Sequence, residues 1–297
     1  MKTLTIFTPT FNRIELLKRG YEALKKQTSK DFIWMIIDDG SVDNTKEVVK
    51  RWCAENPGFK IEYYYKENGG LYTAYNYAIE KAETELMVCI DSDDFMPENA
   101  VEIIIDFWKK NGNKSFAGIV GLDYYLNGNV IGDFLPNQKS VNLIDLLIGK
   151  YKIVNGDRTN VVRTELYKKY GPLQGYKGEK NFNPHYLHLQ ISKDYDFLVL
   201  NKNLRYVDYQ ENGMTSYIFK QYYESPNSFL KTRELYLTYK NAPIKFKLKN
   251  SIHYASSCIL SKNIKKIIKN PAGLRYTLIG VIPGLLLTFI VSYKGGK

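Results

Sequence analysis

Cysteine is scarce in this 297-residue chain: Cys53, Cys89 and Cys258 stand far apart, and no two form a CxxC pair. That spacing argues against a zinc site and against a disulfide framework, and it suits a reducing, cytoplasmic setting. Glycine-rich phosphate strings are missing as well. Without GxGxxG or a P-loop, a dinucleotide-binding oxidoreductase and the P-loop enzymes are excluded. No internal repeat or low-complexity tract is present, and the opening "MKTLTIFTPTFNR" lacks the apolar stretch of a secretory signal. Acidic residues are in the minority, 31 Asp and Glu against 42 Lys and Arg. The net charge of +11 argues for an anionic partner, whether nucleic acid, a nucleotide or a membrane surface, without choosing among them.

What remains is ordinary globular composition, 44% hydrophobic and 25% charged, enough for one large core or a core with a smaller C-terminal unit. Up to residue 122, short β-branched runs alternate with longer helical patterns. "TLTIFT", "FIWMIID", "IEYYYK", "ELMVCID" and "FAGIVGL" read as strands; "IELLKRGYEALKKQ", "TKEVVKRWCAE", "LYTAYNYAIEKA" and "PENAVEIIIDFWKKN" read as helices. The series predicts an α/β fold with a mostly parallel sheet flanked by helices, in which ligands bind beyond the carboxyl ends of the strands. Polar strings fall at those ends: "TPTFNR", "DDGSVDNT", "ENGG" and "DSDD". Four loops are therefore expected to converge on one rim.

The last of these strings is the most demanding. Asp91, Asp93 and Asp94 crowd three carboxylates behind the apolar run "LMVC", which costs free energy unless a cation or a set of hydrogen bonds compensates them. Divalent Mn2+ or Mg2+ prefers oxygen ligands and often takes one or two carboxylates plus phosphate oxygens. The plainer reading is an Asp-rich turn capping the helix that starts near Pro97.

Taken in order, "TPTFNR…IIDDGSVDNT…ENGG…DSDD" resembles the family 2 glycosyltransferases, inverting enzymes with a Rossmann-like GT-A fold that use nucleotide-sugars. The resemblance is strong to about residue 125 and fades by about residue 215. It implies a GT-A domain over residues 1–216, with a nucleotide-sugar half (1–122) and an acceptor half (123–216), followed by a basic helical extension (217–297). It implies Asp93 as direct metal ligand, with Asp91 as ribose or metal-water partner beside Ser92. Asp39 would accept the imide N–H of uracil, favouring a UDP-sugar, although Asp38 and Asp39 also suit an Asx-turn with Asp43 or Asn44 capping the next helix. Thr8, Pro9 and Thr10 would line the base or ribose, Asn12 would cap the following helix, and Arg13 is divided between the diphosphate and solvent. Asn68 and Gly69 would admit the nucleotide backbone closely. Where relatives often continue with "ARN", Ala74, Tyr75 and Asn76 stand here, so a common arginine contact is missing.

An inverting transfer also needs a base for the acceptor hydroxyl. Many relatives use an Asp in a "GED" motif; this chain has "GEKNFNPHYLHLQ". Glu179 is preferred, with His185 and Asp157 as alternatives, and His185 and His188 read equally well as surface or half-core histidines. Asp208 and Glu211 belong to a loop resembling one that closes over the site in relatives.

Beyond residue 217 the chain is basic, with "KFKLK" and "KNIKKIIK" interleaving lysine with Ile, Phe and Leu, before the uncharged run "YTLIGVIPGLLLTFIVSY". Interrupted by Pro283 and Gly284 and slightly short of the roughly 20 residues a spanning helix needs, that run reads as an in-plane or re-entrant membrane contact. The partners expected are a nucleotide-sugar donor, a lipid-linked or oligosaccharide acceptor and the inner face of the cell membrane, with a homo-oligomer left open. Alternatives are a nucleotidyltransferase, for which "TPTFNR" lacks the glycine-rich loop, and a non-catalytic sugar-nucleotide binder. A nucleic-acid-binding protein, suggested by the charge and the 25 tyrosines, is disfavoured because the N-terminal loops are acidic.

Overall fold

The computed structural model describes residues 2–210 and 217–296. The alternation read from the sequence is present: β1 (Leu4–Thr10), α1 (Ile14–Lys25), β2 (Phe32–Asp38), α2 (Thr45–Glu55), β3 (Lys60–Tyr65), α3 (Leu71–Lys81), β4 (Leu86–Cys89), α4 (Ala100–Asn111) and β5 (Phe116–Tyr125). Then follow β6 (Ser140–Val141), α5 (Leu143–Leu147), β7 (Arg158–Arg163), α6 (Thr164–Tyr170), α7 (His185–Ile191) and β8 (Asp196–Val207). The chain continues through α8 (Ile218–Glu224), α9 (Pro226–Leu237), α10 (Ile244–Leu260), a 3-10 turn at Ile264–Lys269, and α11 (Leu274–Gly295).

Among the described residues the strands form one eight-stranded sheet in the order β3-β2-β1-β4-β7-β5-β8-β6. β1 pairs in parallel with β2 and β4, β2 with β3, and β5 with β8, whereas β7 runs antiparallel between β4 and β5. β1 is buried at every position, as a central parallel strand covered on both faces must be, and this is why it reads as a continuous apolar run. β3, at the sheet edge, is only half-buried. α1 buries Ile14, Leu17, Tyr21 and Leu24, one stripe of a 3.6-residue period. Tyr21 stacks on Trp52 with ring centroids 4.3 Å apart, and Trp52 stacks on Trp34 at 5.7 Å, so α1, α2 and β2 share one aromatic core.

The chain divides into two compact units: residues up to Pro172 together with Leu187–Gln210, and Leu173–Tyr186 together with the chain after Gln210. The segment carrying Glu179 and His185, expected in an acceptor half of the first domain, thus groups with the C-terminal helices. In that second unit α11 is continuous through Pro283 for 22 residues. It is therefore long and apolar enough to cross a membrane, with a mean hydropathy of 1.9, which corrects the expectation of a short, interrupted run. Extension to Leu274 and Gly295 makes up the length.

Candidate active site

At the carboxyl end of β2, two aspartates tie neighbouring loops together. Asp38 accepts from the Ser41 amide at 2.7 Å, forming the expected Asx-type turn, and from the Tyr63 hydroxyl at 2.6 Å. Asp39, 5% exposed, accepts from the amides of Gly69 at 3.0 Å and Gly70 at 2.8 Å, from Asn68 Nδ2 at 3.2 Å and from the Lys66 ammonium. Both of its oxygens are engaged, so the carboxylate expected to read uracil holds the "ENGG" loop against the "DDGS" loop. Their approach is close. Gly40 sits at φ +90°, and a Cβ there would come within 2.9 Å of the Asn68 amide.

The "TPTFNR" loop is built differently from expectation. Asn12 does not cap α1; its Oδ1 accepts from the Val42 amide at 2.8 Å while its own amide donates to Ser41 Oγ at 2.8 Å. The first turn of α1 is served from the adjacent loop, where Asp43 Oδ2 accepts from the Ile14 amide at 3.3 Å. Asp43 Oδ1 accepts from the Thr45 amide at the start of α2, whereas Asn44 makes no side-chain cap. Thr8, Pro9 and Thr10 are buried; Thr8 Oγ1 accepts from the Trp34 indole at 3.0 Å, and Thr10 Oγ1 is a buried hydroxyl without a hydrogen-bond partner. In the "ARN"-equivalent triplet, Ala74 and Tyr75 enter the core, with Tyr75 edge-on to Phe7 at 4.8 Å.

The acidic cluster is matched by arginines. Arg13 donates to Asp93 Oδ2 at 3.0 Å, which places its guanidinium on the carboxylate cluster instead of in solvent. Arg205, in β8, lies 3.5 Å from Asp91 and 3.4 Å from Asp94 and pairs with Asp123, which is fully buried and also accepts from Thr159 Oγ1 at 2.5 Å. Arg19 donates to Asp208 at 2.7 Å and to the Asp93 carbonyl, with Phe95 beneath it. Asp94 also accepts from the Asp208 amide at 3.1 Å. Burial pushes the Asp94 carboxyl up to about 7; Arg205 opposes this, and Asp91 and Asp93 add to it. Asp91 is raised too, first by desolvation and then by Asp93, against Arg205. Ser92 is buried beside them.

No group of three or more His, Cys, Asp or Glu side chains suited to a metal occurs among the described residues. The donor set nonetheless fits a Mn2+ or Mg2+ ion whose remaining ligands are phosphate oxygens and water. Asp93 keeps one oxygen outside its bond to Arg13, and the Asp91 side chain is 46% exposed.

The three base candidates separate clearly. Glu179 is 8% exposed, and its oxygens accept from Asn227 N and Nδ2 at 2.8 and 2.9 Å and from Ser228 N and Oγ at 2.8 and 2.7 Å. It closes the first turn of α9, whose N-cap Ser225 makes no side-chain cap, so the residue preferred as base is engaged with Asn227 and Ser228. His185 heads α7, and desolvation lowers it to about 4, so it is neutral at pH 7. Asp157 is exposed and accepts from the Tyr209 hydroxyl at 2.6 Å. His188 is a core histidine, 2.7 Å from the Tyr167 hydroxyl. Glu211 lies outside the described residues.

Sequence reading missed Arg19, Lys66, Asp123 and Arg205. A charged residue inside the apolar strand "NLRYV" was the one local signal for Arg205, and it is the β5–β8 register, Asp123 opposite Arg205, that gives it meaning.

Residues 5–134 match the family model described as Glycosyl transferase family 2. An uncharacterized glycosyltransferase of Rickettsia bellii is 30% identical over 138 residues, 45% of this chain and 20% of that protein, so the match spans only a fifth of the relative's length. Among solved structures, S. aureus TarS in complex with UDP-GlcNAc aligns with a TM-score of 0.61 at 17% identity, covering 100% of this chain and 93% of that one. The Pyrobaculum calidifontis mannosyltransferase PcManGT, in complex with GDP-Man and Mn2+, aligns with a TM-score of 0.59 at 14% identity, covering 96% and 86%. At these identities the structural likeness establishes the fold.

Proposed function

We propose, on the premise that residues 5–134 form a family 2 glycosyltransferase domain on a GT-A fold, that this chain moves a sugar from a nucleotide-sugar, preferentially a UDP-sugar, to a saccharide acceptor with inversion. The observation that carries the reading is the joining of the rim loops. Asp39 binds the "DDGS" loop to the "ENGG" loop, and Arg13 binds the "TPTFNR" loop to Asp93. A nucleotide diphosphate suits this rim because it offers anionic oxygens to Arg13 and to a cation held by Asp93 and Asp91. Bound there, Mn2+ or Mg2+ would neutralise the charge that builds on the departing diphosphate. Asp39 would accept the base's imide N–H in place of one of its present donors, with Lys66 the side chain able to swing aside.

In the transfer, the acceptor oxygen bonds to the anomeric carbon as the bond to the diphosphate breaks, and the hydroxyl proton passes to a base. With Glu179 held at α9, the base is His185 or Asp157. The basic, apolar C-terminal region supports a lipid-linked acceptor at the inner face of a bacterial membrane, as in surface polysaccharide or capsule synthesis. The occupation of Glu179 also favours a second reading, a sugar-nucleotide binder without transferase activity.

Thermal stabilisation by UDP, GDP, CMP and dTDP, with and without Mn2+, tests the donor site. A ligand at one hundred times its Kd adds about 2.7 kcal/mol. UDP stabilisation that requires Mn2+ and vanishes in Asp93→Ala is the expected result. No response to any nucleotide would overturn the proposal, and nucleotide binding with transfer unaffected in both His185→Gln and Asp157→Asn would remove both base assignments. Nucleotide binding with no transfer in the unaltered chain would leave the binder reading.

A further inference from the structure

The second unit turns a large apolar surface outward. On α11, small and large residues are sorted by face. A Cβ added at Gly284 would meet the Cβ of Ala255 at 2.7 Å and the Ile252 carbonyl at 3.0 Å, and one at Gly280 would meet Ser251 at 3.1 Å, so backbone lies directly on α10. Thr288 Oγ1 donates to Ser256 Oγ at 3.1 Å along the same seam, and Gly295 abuts Phe219 and Tyr223 of α8. The large side chains point away: Leu278, Ile282, Leu286 and Phe289 are 71, 70, 64 and 74% exposed. Their spacing of three or four residues draws one stripe along the helix. Just before it, the Ile264–Lys269 turn exposes Ile264 and Ile268 between lysines.

Charge identifies what covers this stripe. Residues 217–296 contain eleven lysines and two arginines against Glu224 and Glu234 alone, so the positive excess of the whole chain is gathered in the unit that carries the stripe. Apolar side chains flanked by lysines match the boundary of a bilayer, where acyl chains lie beneath anionic headgroups. A second copy would bring the same positive charge against itself.

We infer that α11 and the Ile264–Lys269 turn form a docking surface for an anionic phospholipid bilayer, with α11 lying in the membrane plane and not crossing it. A crossing helix would need lipid or apolar protein around its whole circumference. Here one face is covered along its length by α10, which carries Asn250, Ser251, His253, Ser256 and Ser257 and accepts at Asn250 Oδ1 from Arg233 of α9 at 3.0 Å, and these polar groups would be drawn into hydrocarbon. The inference uses no feature of the donor site, so nucleotide binding and membrane docking can fail independently.

Flotation of the full chain with vesicles of phosphatidylcholine containing about one third phosphatidylglycerol tests it. The chain is expected to float with these vesicles, weakly with phosphatidylcholine alone, and less as salt is raised. The double variant Ile282→Asp/Leu286→Asp, at two exposed positions, should keep the unaltered melting temperature and lose vesicle binding about ten-fold or more. Leu278→Trp, Leu285→Trp and Phe289→Trp, read by brominated-lipid quenching above the background of the native tryptophans, should report one shallow depth. Three outcomes overturn the inference: a graded depth profile, which means a spanning helix; equal binding to neutral vesicles; or no vesicle binding with an Asp-sensitive dimer in sedimentation, which means that a second copy covers the stripe.

Discussion

Replacing Glu179 separates a structural carboxylate from a catalytic one. In Glu179→Ala the four donors from Asn227 and Ser228 lose their acceptor. The part-buried Asn227 groups can turn to water. The Ser228 amide is buried, and leaving such a donor unmatched costs about 1–3 kcal/mol. Removing a negative charge that sits against the N-terminus of α9 costs a further ~0.3–1 kcal/mol. The sum is about 3 kcal/mol, or a fall in Tm of roughly 6–12 °C at 2–4 °C per kcal/mol. Glu179→Gln keeps one acceptor oxygen and should lose about half as much. The assay pairs differential scanning fluorimetry with transfer rates per folded molecule below the lowered Tm. Structural work at α9 predicts a marked Tm loss with kcat little changed. An unaltered Tm together with a loss of about a hundred-fold or more in kcat would refute this reasoning and restore Glu179 as the base.

Arg205→Met should cost about 3–5 kcal/mol in urea unfolding, because it strands the fully buried Asp123 carboxylate with Thr159 as its remaining donor, and adding Asp123→Asn should restore much of it. Burial, helped by Arg233 and Lys249, lowers His253 from its ordinary 6.5 to about 4. The unfolded chain therefore binds the proton first, and this contribution to stability is complete above about pH 6.5 and lost as pH falls toward 4. Between pH 8 and pH 5 it amounts to about 2 kcal/mol, which His253→Gln should remove from the pH dependence of chemical denaturation. Gly284→Val should lower stability by about 2 kcal/mol by forcing α11 off Ala255, without changing nucleotide-dependent stabilisation.

The parallel half of the sheet was legible because its strands are buried on both faces and so read as unbroken apolar runs, while α1 to α4 keep a helical stripe. Ends were less legible. The helix expected from Pro97 begins at Ala100, after the Phe95 bridge to Tyr206 has used the preceding backbone. β6 has two residues, too few for any period, and nothing local announces that β7 inserts between β4 and β5. α11 was misjudged in length because Pro283 was taken as a break, whereas the helix continues through it against α10.

The sequence by itself determined the βαβ order, the four polar loops at the strand ends and the concentration of lysine beside apolar residues after residue 217. These follow from periodicity, turn chemistry and composition, which act over a few neighbouring residues. Only the tertiary structure decided which carboxylates are already matched. Arg205 meets Asp123 across 82 positions, Lys66 meets Asp39 across 27, and Glu179 meets Asn227 and Ser228 across 48 and 49. A carboxylate's role depends on its donors, and strand register and helix docking deliver those donors from parts of the chain that no local pattern connects.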